Sequence, residues 1–244
     1  MEFTFRIGNR LKSAAEFVAD STICEDLVCA DIGCDHGYLS IYLIKHEICK
    51  KVYASDIAQK PINKARENIV LAKIPEDKIS LHLCDGLSDL KNEPINRVLI
   101  CGMGGEVISG IIERAKEFHK ENIKFILQPM SRELELRLWL CSNGFTIEDE
   151  KLVRDSGRVY TIIKTSYTGN NEEYSPSELI LGKQNIERGG ELLFELCKRK
   201  LLHANNILKQ ENCTEEEKEF AKNLHRELSG ILEKHKGEFY DKNS

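Results

Sequence analysis

The sequence predicts an α/β fold: a mostly parallel sheet with an antiparallel edge hairpin, followed by a C-terminal helical hairpin. Three observations carry that prediction. Short apolar runs alternate with longer segments of helical period up to about residue 165, as parallel strands with helical crossovers require. The last two runs flank Asp155-Ser156-Gly157, a turn short enough to join antiparallel partners. Past Tyr167 the chain turns polar, and from about 177 to 237 it reads as entirely helical.

In order, Arg6–Ala19 reads as an amphipathic helix with Ile7, Leu11, Ala14, Ala15 and Val18 on one stripe. Leu27–Asp31 is the first strand, and Tyr38–Ile48 the helix after it. Val52–Asp56 is the second strand, followed by helix Lys60–Ala72, where Pro61 suits a first turn. Ile79–Cys84 alternates and ends in Asp85-Gly86; Arg97–Cys101 ends in Gly102-Met103-Gly104-Gly105. Helix Glu106–Phe118 precedes strand Lys124–Leu127, which Pro129 stops. Helix Glu133–Ser142 closes at Asn143-Gly144, and Phe145–Glu150 with Val159–Lys164 form the edge hairpin.

Thr168-Gly169-Asn170-Asn171-Glu172-Glu173 is a polar linker, so the division is 1–167, a linker 168–176, and 177–244. In the last part Gly189-Gly190 interrupts the helical pattern, and Thr214-Glu215-Glu216-Glu217 is a capping box that starts a new helix. Leu192, Leu193, Leu196, Leu201 and Leu208 make one apolar stripe; Phe220, Leu224, Leu228, Ile231 and Leu232 make another. Two such helices joined by a short turn imply an antiparallel coiled-coil hairpin. Self-packing and RNA contact, through Lys198-Arg199-Lys200, both remain open roles for it.

The 244 residues allow one sizeable domain with an appendage. No apolar run approaches the ~20 residues of a membrane span, and Arg6, Arg10, Lys12 and Glu16 break up the first helix, unlike a secretory signal. The nine cysteines never form C-x-x-C, and Cys29, Cys84, Cys101 and Cys141 sit in apolar patterns, which fits a reducing, cytoplasmic setting. No His/Cys/Asp cluster has metal-ligand spacing, so no metal is expected. The net charge of −5 confines any nucleic-acid contact to a local basic face.

The chemistry concentrates at strand ends. Asp31-Ile32-Gly33-Cys34-Asp35-His36-Gly37-Tyr38 turns a buried strand into a helix through glycines, the place where a nucleotide-like ligand meets bare backbone. A dinucleotide fingerprint needs a second glycine where Asp35 stands, and a carboxylate there repels pyrophosphate. Asp31 and Asp35 favour a cationic ligand instead, and S-adenosylmethionine combines a sulfonium, an amino group and an adenosine. On that reading Asp31, Ile32, Gly33 and Gly37 bound the methionine moiety. Asp56, 25 residues on and followed by Ile57, accepts both ribose hydroxyls. Asp85, with Gly86 and Leu87, meets the adenine, and Cys101 completes the lining. Each acid alone also reads as a helix cap or turn residue.

The fourth strand end carries neither the D/N-P-P-Y/F/W loop of adenine amino methyltransferases nor the Pro-Cys of 5-methylcytosine enzymes. Cys101-Gly102-Met103-Gly104-Gly105 offers flexible backbone and no evident nucleophile. Together with Asp31–Leu39, Ser55-Asp56, Asp85-Gly86-Leu87, Leu127-Gln128-Pro129 and Leu136–Leu140, this string resembles the bacterial tRNA adenine-22 N1-methyltransferases (TrmK-type) across the whole catalytic domain. The helical tail matches in type. Met130 and Ser40 depart from the family pattern, which usually has a polar residue and proline there.

The resemblance implies a Rossmann-like class I methyltransferase domain that transfers a methyl group from S-adenosylmethionine to N1 of an adenine in the D-arm of tRNA. Neutral N1 has a free lone pair and needs positioning rather than a base, while the cationic product favours a nearby carboxylate. Asp35 is the first candidate for that carboxylate and Asp31 the second. Tyr38 and His36 stack on or orient the base, or else line the cofactor pocket and cap the helix. Gly102 and Met103 face the reacting atoms, and Gln128 bonds the adenine edge or satisfies loop backbone. Arg6, Arg10, Lys12, Arg132, Arg137, Arg154 and Arg158 are candidates for tRNA phosphates, and Trp139 reads as core. A monomer is favoured. Rival readings are a methyltransferase for a small molecule or protein, and a non-catalytic cofactor- and RNA-binding protein.

Overall fold

Strands buried on both faces need helices on both sides, and the chain supplies them by alternation. The computed structural model describes residues 5–19, 26–210 and 212–240. Strands β1 (Val28–Ile32), β2 (Lys51–Asp56), β3 (Ile79–Leu83), β4 (Arg97–Gly104), β5 (Lys124–Ser131), β6 (Phe145–Asp155) and β7 (Arg158–Tyr167) form one sheet ordered β3-β2-β1-β4-β5-β7-β6. The first five are parallel, and β7 runs antiparallel to both β5 and β6. β1 is buried along its whole length, which explains its unbroken apolar run around Asp31. The strand order reverses between β1 and β4, opening a crevice at their C-terminal ends.

Helices α1 (Asn9–Val18), α2 (Tyr38–Lys45) and α3 (Gln59–Leu71) cover one face, where Ala14, Val18, Leu39 and Ile62 pack against Leu99 and Ile126. Helices α4 (Gly105–Arg114) and α5 (Glu133–Ser142) cover the other, where Ile108, Ile112, Leu136 and Leu140 pack against Val98, Ile100, Phe125 and Leu127. Neighbouring residues of β4 and β5 thus feed opposite cores, the period-2 signature of a strand. Trp139 packs on the second core with its ring 5.7 Å from that of Phe145, as expected of a core residue.

Through β7 the element order is as predicted, and the ends differ for local reasons. α1 begins only at Asn9, because extended Gly8 is its N-cap. β5 runs past Pro129 to Ser131: β7 pairs only with Lys124–Leu127, so the proline lies where no β7 partner needs an N–H. β4 likewise continues through Gly102-Met103 to Gly104, with bulges opposite Gln128 and Pro129. The predicted helix Glu106–Phe118 is α4 plus a separate 3-10 turn, Lys116–Phe118.

Beyond the sheet come α6 (Pro176–Leu181), α7 (Lys183–Arg188), α8 (Glu191–Leu208) and α9 (Glu215–Tyr240). Ser175 caps α6 in a full capping box. Leu193, Leu196, Cys197 and Ala204 of α8 pack on Leu224 and Leu228 of α9, while Phe220 of the predicted stripe is exposed. This helical part is docked on the sheet domain by polar contacts. Arg137 of α5 is fully buried; its Nε donates to Glu150 Oε1 at 2.6 Å and its Nη1 to the carbonyls of Leu179 and Ile180. Arg188 donates to the Glu150 carbonyl and to Asp149, Gln184 to the Ile147 carbonyl, and Arg154 pairs with Glu195 of α8. Arg137 therefore leaves the set of predicted phosphate contacts. A cation with no solvent exposure, bonded to a buried carboxylate and two helix-end carbonyls, has no face left for RNA.

Candidate active site

The crevice above β1 and β4 is a cavity of about 320 Å³ lined by Arg10, Leu11, Asp31, Gly33, Asp35, Leu39, Asp56, Cys101, Gly102 and Met103. Seven of these ten were expected at the cofactor or catalytic site from sequence. Leu11 was read as part of an apolar helix stripe, Leu39 only as the end of the Asp31–Leu39 string, and Arg10 as a tRNA-phosphate contact. α1 lays its length across the sheet and so brings Arg10 to the pocket, a placement that no local pattern encodes.

The β1–α2 turn is built to hold a ligand against backbone. Gly33 is left-handed (φ +68), and a Cβ there would run into the Met103 methyl group. Gly37 is left-handed too (φ +72), and a Cβ would press on Ala65 of α3 at 3.1 Å. Asn68 of α3 donates to the His36 carbonyl, and the Cys34 N–H bonds the Ser55 carbonyl, so neighbouring elements fix the turn. Asp35 lies at its outer edge in the left-handed region (φ 48), a conformation Asp tolerates. Its carboxylate is 73% exposed and 3.5 Å from His36 Nε2. Tyr38 opens α2 with its ring stacked on Phe5, centroids 6.0 Å apart, and edge-on to His36.

The three acids at the first three strand ends differ in what they already hold. Asp31 is buried, and Ser40 Oγ donates to its Oδ2 at 2.6 Å. Burial pushes its carboxyl up to about 6, Ser40 pulling the other way. Asp56 accepts the N–H groups of Ala58 (3.0 Å) and Asp35 (3.2 Å), which leaves lone pairs toward the pocket. Ile57 beside it is 73% exposed, an apolar platform at the rim. Asp85 is exposed and meets Arg114 of α4 at 3.2 and 3.3 Å. With Gly86, Leu87 and Arg114 it lines a second hollow of about 220 Å³, which shares no lining residue with the first. Arg114 was not anticipated, since it lies late in a helix with nothing local to mark it.

At the tips of β4 and β5 the sheet becomes irregular, and Gln128 repairs it. Its Oε1 accepts the Gly102 N–H (3.2 Å) that the bulged ladder leaves without a strand partner, and also Arg10 Nη1 (2.6 Å). Its Nε2 donates to the Pro129 carbonyl (2.8 Å). Fully buried Gln128 is thus a brace of the loop, the second of its two expected roles; the adenine-edge contact is corrected, because both ends of the amide are engaged. Gly105 lets the Arg132 carbonyl approach α4, where any Cβ would collide with it. Burial, with Asp31 next, pushes the Cys101 thiol well above its ordinary range, so it stays protonated and poorly nucleophilic.

The remaining expected phosphate contacts are dispersed. Lys12 is exposed, Arg132 is exposed beside Glu135 (2.8 Å) and Glu106 (3.9 Å), and Arg154 is held by Glu195. Arg10 also faces Asp155 at 3.7 Å. Among the described residues no group of three or more His, Cys, Asp or Glu could hold a metal ion, and no helix is long and apolar enough to cross a membrane.

The donor set fits S-adenosylmethionine: a buried carboxylate for an ammonium group, a half-exposed carboxylate for vicinal hydroxyls, and a glycine cradle between them. A protein-family profile described as "Methyltransferase domain" matches residues 7–163. The tRNA (adenine(22)-N(1))-methyltransferase of Bacillus subtilis (strain 168) is 26% identical over 177 residues, 72% of each chain. The crystal structure of the B. subtilis M1A22 tRNA methyltransferase TrmK superposes with a TM-score of 0.78 at 24% identity, over 94% of this chain and 100% of that one. M. capricolum TrmK, in complex with S-adenosyl-homocysteine, superposes with a TM-score of 0.74 at 26% identity, over 95% and 100%.

Proposed function

Because the chain belongs to the methyltransferase-domain family, and within it to the TrmK type, we propose that it methylates N1 of adenine 22 in the D-arm of tRNA by direct attack of the base. It is an S-adenosylmethionine-dependent tRNA methyltransferase. The cofactor supplies an electrophilic methyl group: the N1 lone pair forms the new bond while the S–CH3 electron pair returns to sulfur.

One observation carries the direct mechanism. The pocket pairs an exposed carboxylate, Asp35, with a glycine loop and a cysteine that burial keeps protonated. No base is needed, because neutral N1 carries no proton. Asp35 faces the positive charge that grows on the ring, and its place outside the buried part of the turn leaves it free for substrate. Asp31 and Asp56 hold the cofactor, Gly33 and Gly37 let it approach, and Met103 and Gly102 border the reacting centre. His36 and Tyr38 supply ring faces to a base turned out of its stack. Lys12 and Arg132 contact phosphates, with Arg154 at the junction to the helices. Residues 177–244 form a second unit beyond the 168–176 linker. The protein acts in the cytoplasm as a monomer.

A tRNA transcript with 1-deazaadenosine at position 22 tests direct attack. Replacing N1 by C–H removes the lone pair and leaves the ring's shape and amino group. The expected result is binding within a few-fold of the normal transcript with no methyl incorporation; incorporation at the normal rate would contradict attack by N1.

A further inference from the structure

Of the three strand-end acids, only Asp31 is buried, at 3% exposure. Its partner is Ser40, the third residue of α2, fully buried, with Oγ 2.6 Å from Asp31 Oδ2. The Ser40 main-chain N–H addresses the same carboxylate. The N-cap of α2 is Gly37, which has no side chain to satisfy the free N–H groups of the first turn. Asp31 therefore does from β1 what a capping residue does from within the helix, and Ser40 is the point of contact.

We propose that Ser40 is a positioning residue for the cofactor: it holds Asp31 ionised and aimed at the α-ammonium group, and so sets the lower pH limit of cofactor binding. This rests on the placement of that ammonium group at Asp31.

A hydroxyl donor favours the ionised carboxylate and cannot itself give up a proton near neutrality. The other groups around Asp31 do not offer the same help. Asp56 of β2 is a like charge that favours protonation of Asp31. The thiols of Cys29 on β1, Cys34 in the turn and Cys101 on β4 are all raised and neutral. Asp35 adds negative charge at the rim, and Arg10 of α1 is the cation in the same pocket, committed to Gln128 and Asp155. With burial already pushing Asp31 to about 6 against the pull of Ser40, loss of the hydroxyl moves its titration further up. The sign follows: protonated Asp31 cannot offset an ammonium, so affinity is lost as pH falls through its pKa, and a higher pKa moves that loss to higher pH.

The test is calorimetric titration of the full chain with S-adenosylhomocysteine from pH 5.5 to 8.5, for the parent and for Ser40→Ala, Ser40→Cys and Asp31→Asn. The parent should bind more weakly below about pH 6. In S40A that limb should move up by about one pH unit or more, giving roughly tenfold weaker binding near pH 6 and near-parent affinity at pH 8.5. S40C, a weaker donor, should fall between, and it gives the same reading should S40A not fold. A limb unmoved in the Ser40 variants, or an equal loss at every pH, would overturn the proposal. D31N should bind weakly with no acid limb. If D31N bound like the parent, the placement of the ammonium at Asp31 would fail instead, separately from the role of Ser40.

Discussion

Replacing Arg137 by alanine should destabilise the protein by about 3–5 kcal/mol, which lowers Tm by roughly 6–20 °C. The reason is what would stay behind. Glu150 is fully buried and, among the described residues, its side chain is bonded by Arg137 alone, while its Oε2 has no partner there. Without the guanidinium that carboxylate is an uncompensated charge in the interior, and the carbonyls of Leu179 and Ile180 lose their donor. The pair itself contributes little beyond neutralising its own desolvation, so Arg137→Met with Glu150→Leu should recover most of the loss. Thermal unfolding of the single and double variants reads both effects. An R137A protein within about 1 kcal/mol of the parent would refute this role for the pair. Because the bond joins α5 to the end of α6, R137A should also open the junction near residue 180 to limited proteolysis.

Asp56→Ala should weaken cofactor binding by about a hundredfold or more, since a carboxylate that accepts two hydroxyls is lost at once. Asp35→Asn should instead leave binding within a few-fold and cut kcat by about tenfold or more, through loss of a charge that matters only as the ring becomes cationic. Asparagine is the right replacement at 35, because that backbone is left-handed and alanine would add strain. The two sites are linked: Asp56 accepts the Asp35 N–H, so D56A should also lower kcat, though less than it raises KM. Calorimetry with S-adenosylhomocysteine and single-turnover kinetics separate the two effects. Full turnover by D35N with normal binding would remove Asp35 from the mechanism.

The strand-end acids and the glycine turn were legible in the sequence because each is a local signal: an apolar run, then an acid, then a glycine. The alternation of elements was legible for the same reason. What escaped was contact between distant segments. Arg10 and Gln128 are 118 residues apart and meet only because α1 crosses the sheet; Arg114 reaches Asp85 from the far end of α4. Arg137 looked like a free arginine on a helix, and nothing within ten residues announces Glu150 or the carbonyls of α6. Pro129 misled for a subtler reason. It stops a strand paired on both sides, whereas β5 has already lost its β7 neighbour at that point. Ser40 reads as an ordinary first-turn serine until the fold sets it against Asp31.

The measurement that bears most directly on the central claim is methyl transfer to an unmodified tRNA transcript with adenine at position 22, alongside one with guanine there. The product nucleoside would be identified, and its position mapped, by mass spectrometry. The account predicts N1-methyladenosine at position 22 of the first transcript and no methyl group in the second. Methylation at another atom or position, or equal methylation of both transcripts, would contradict it.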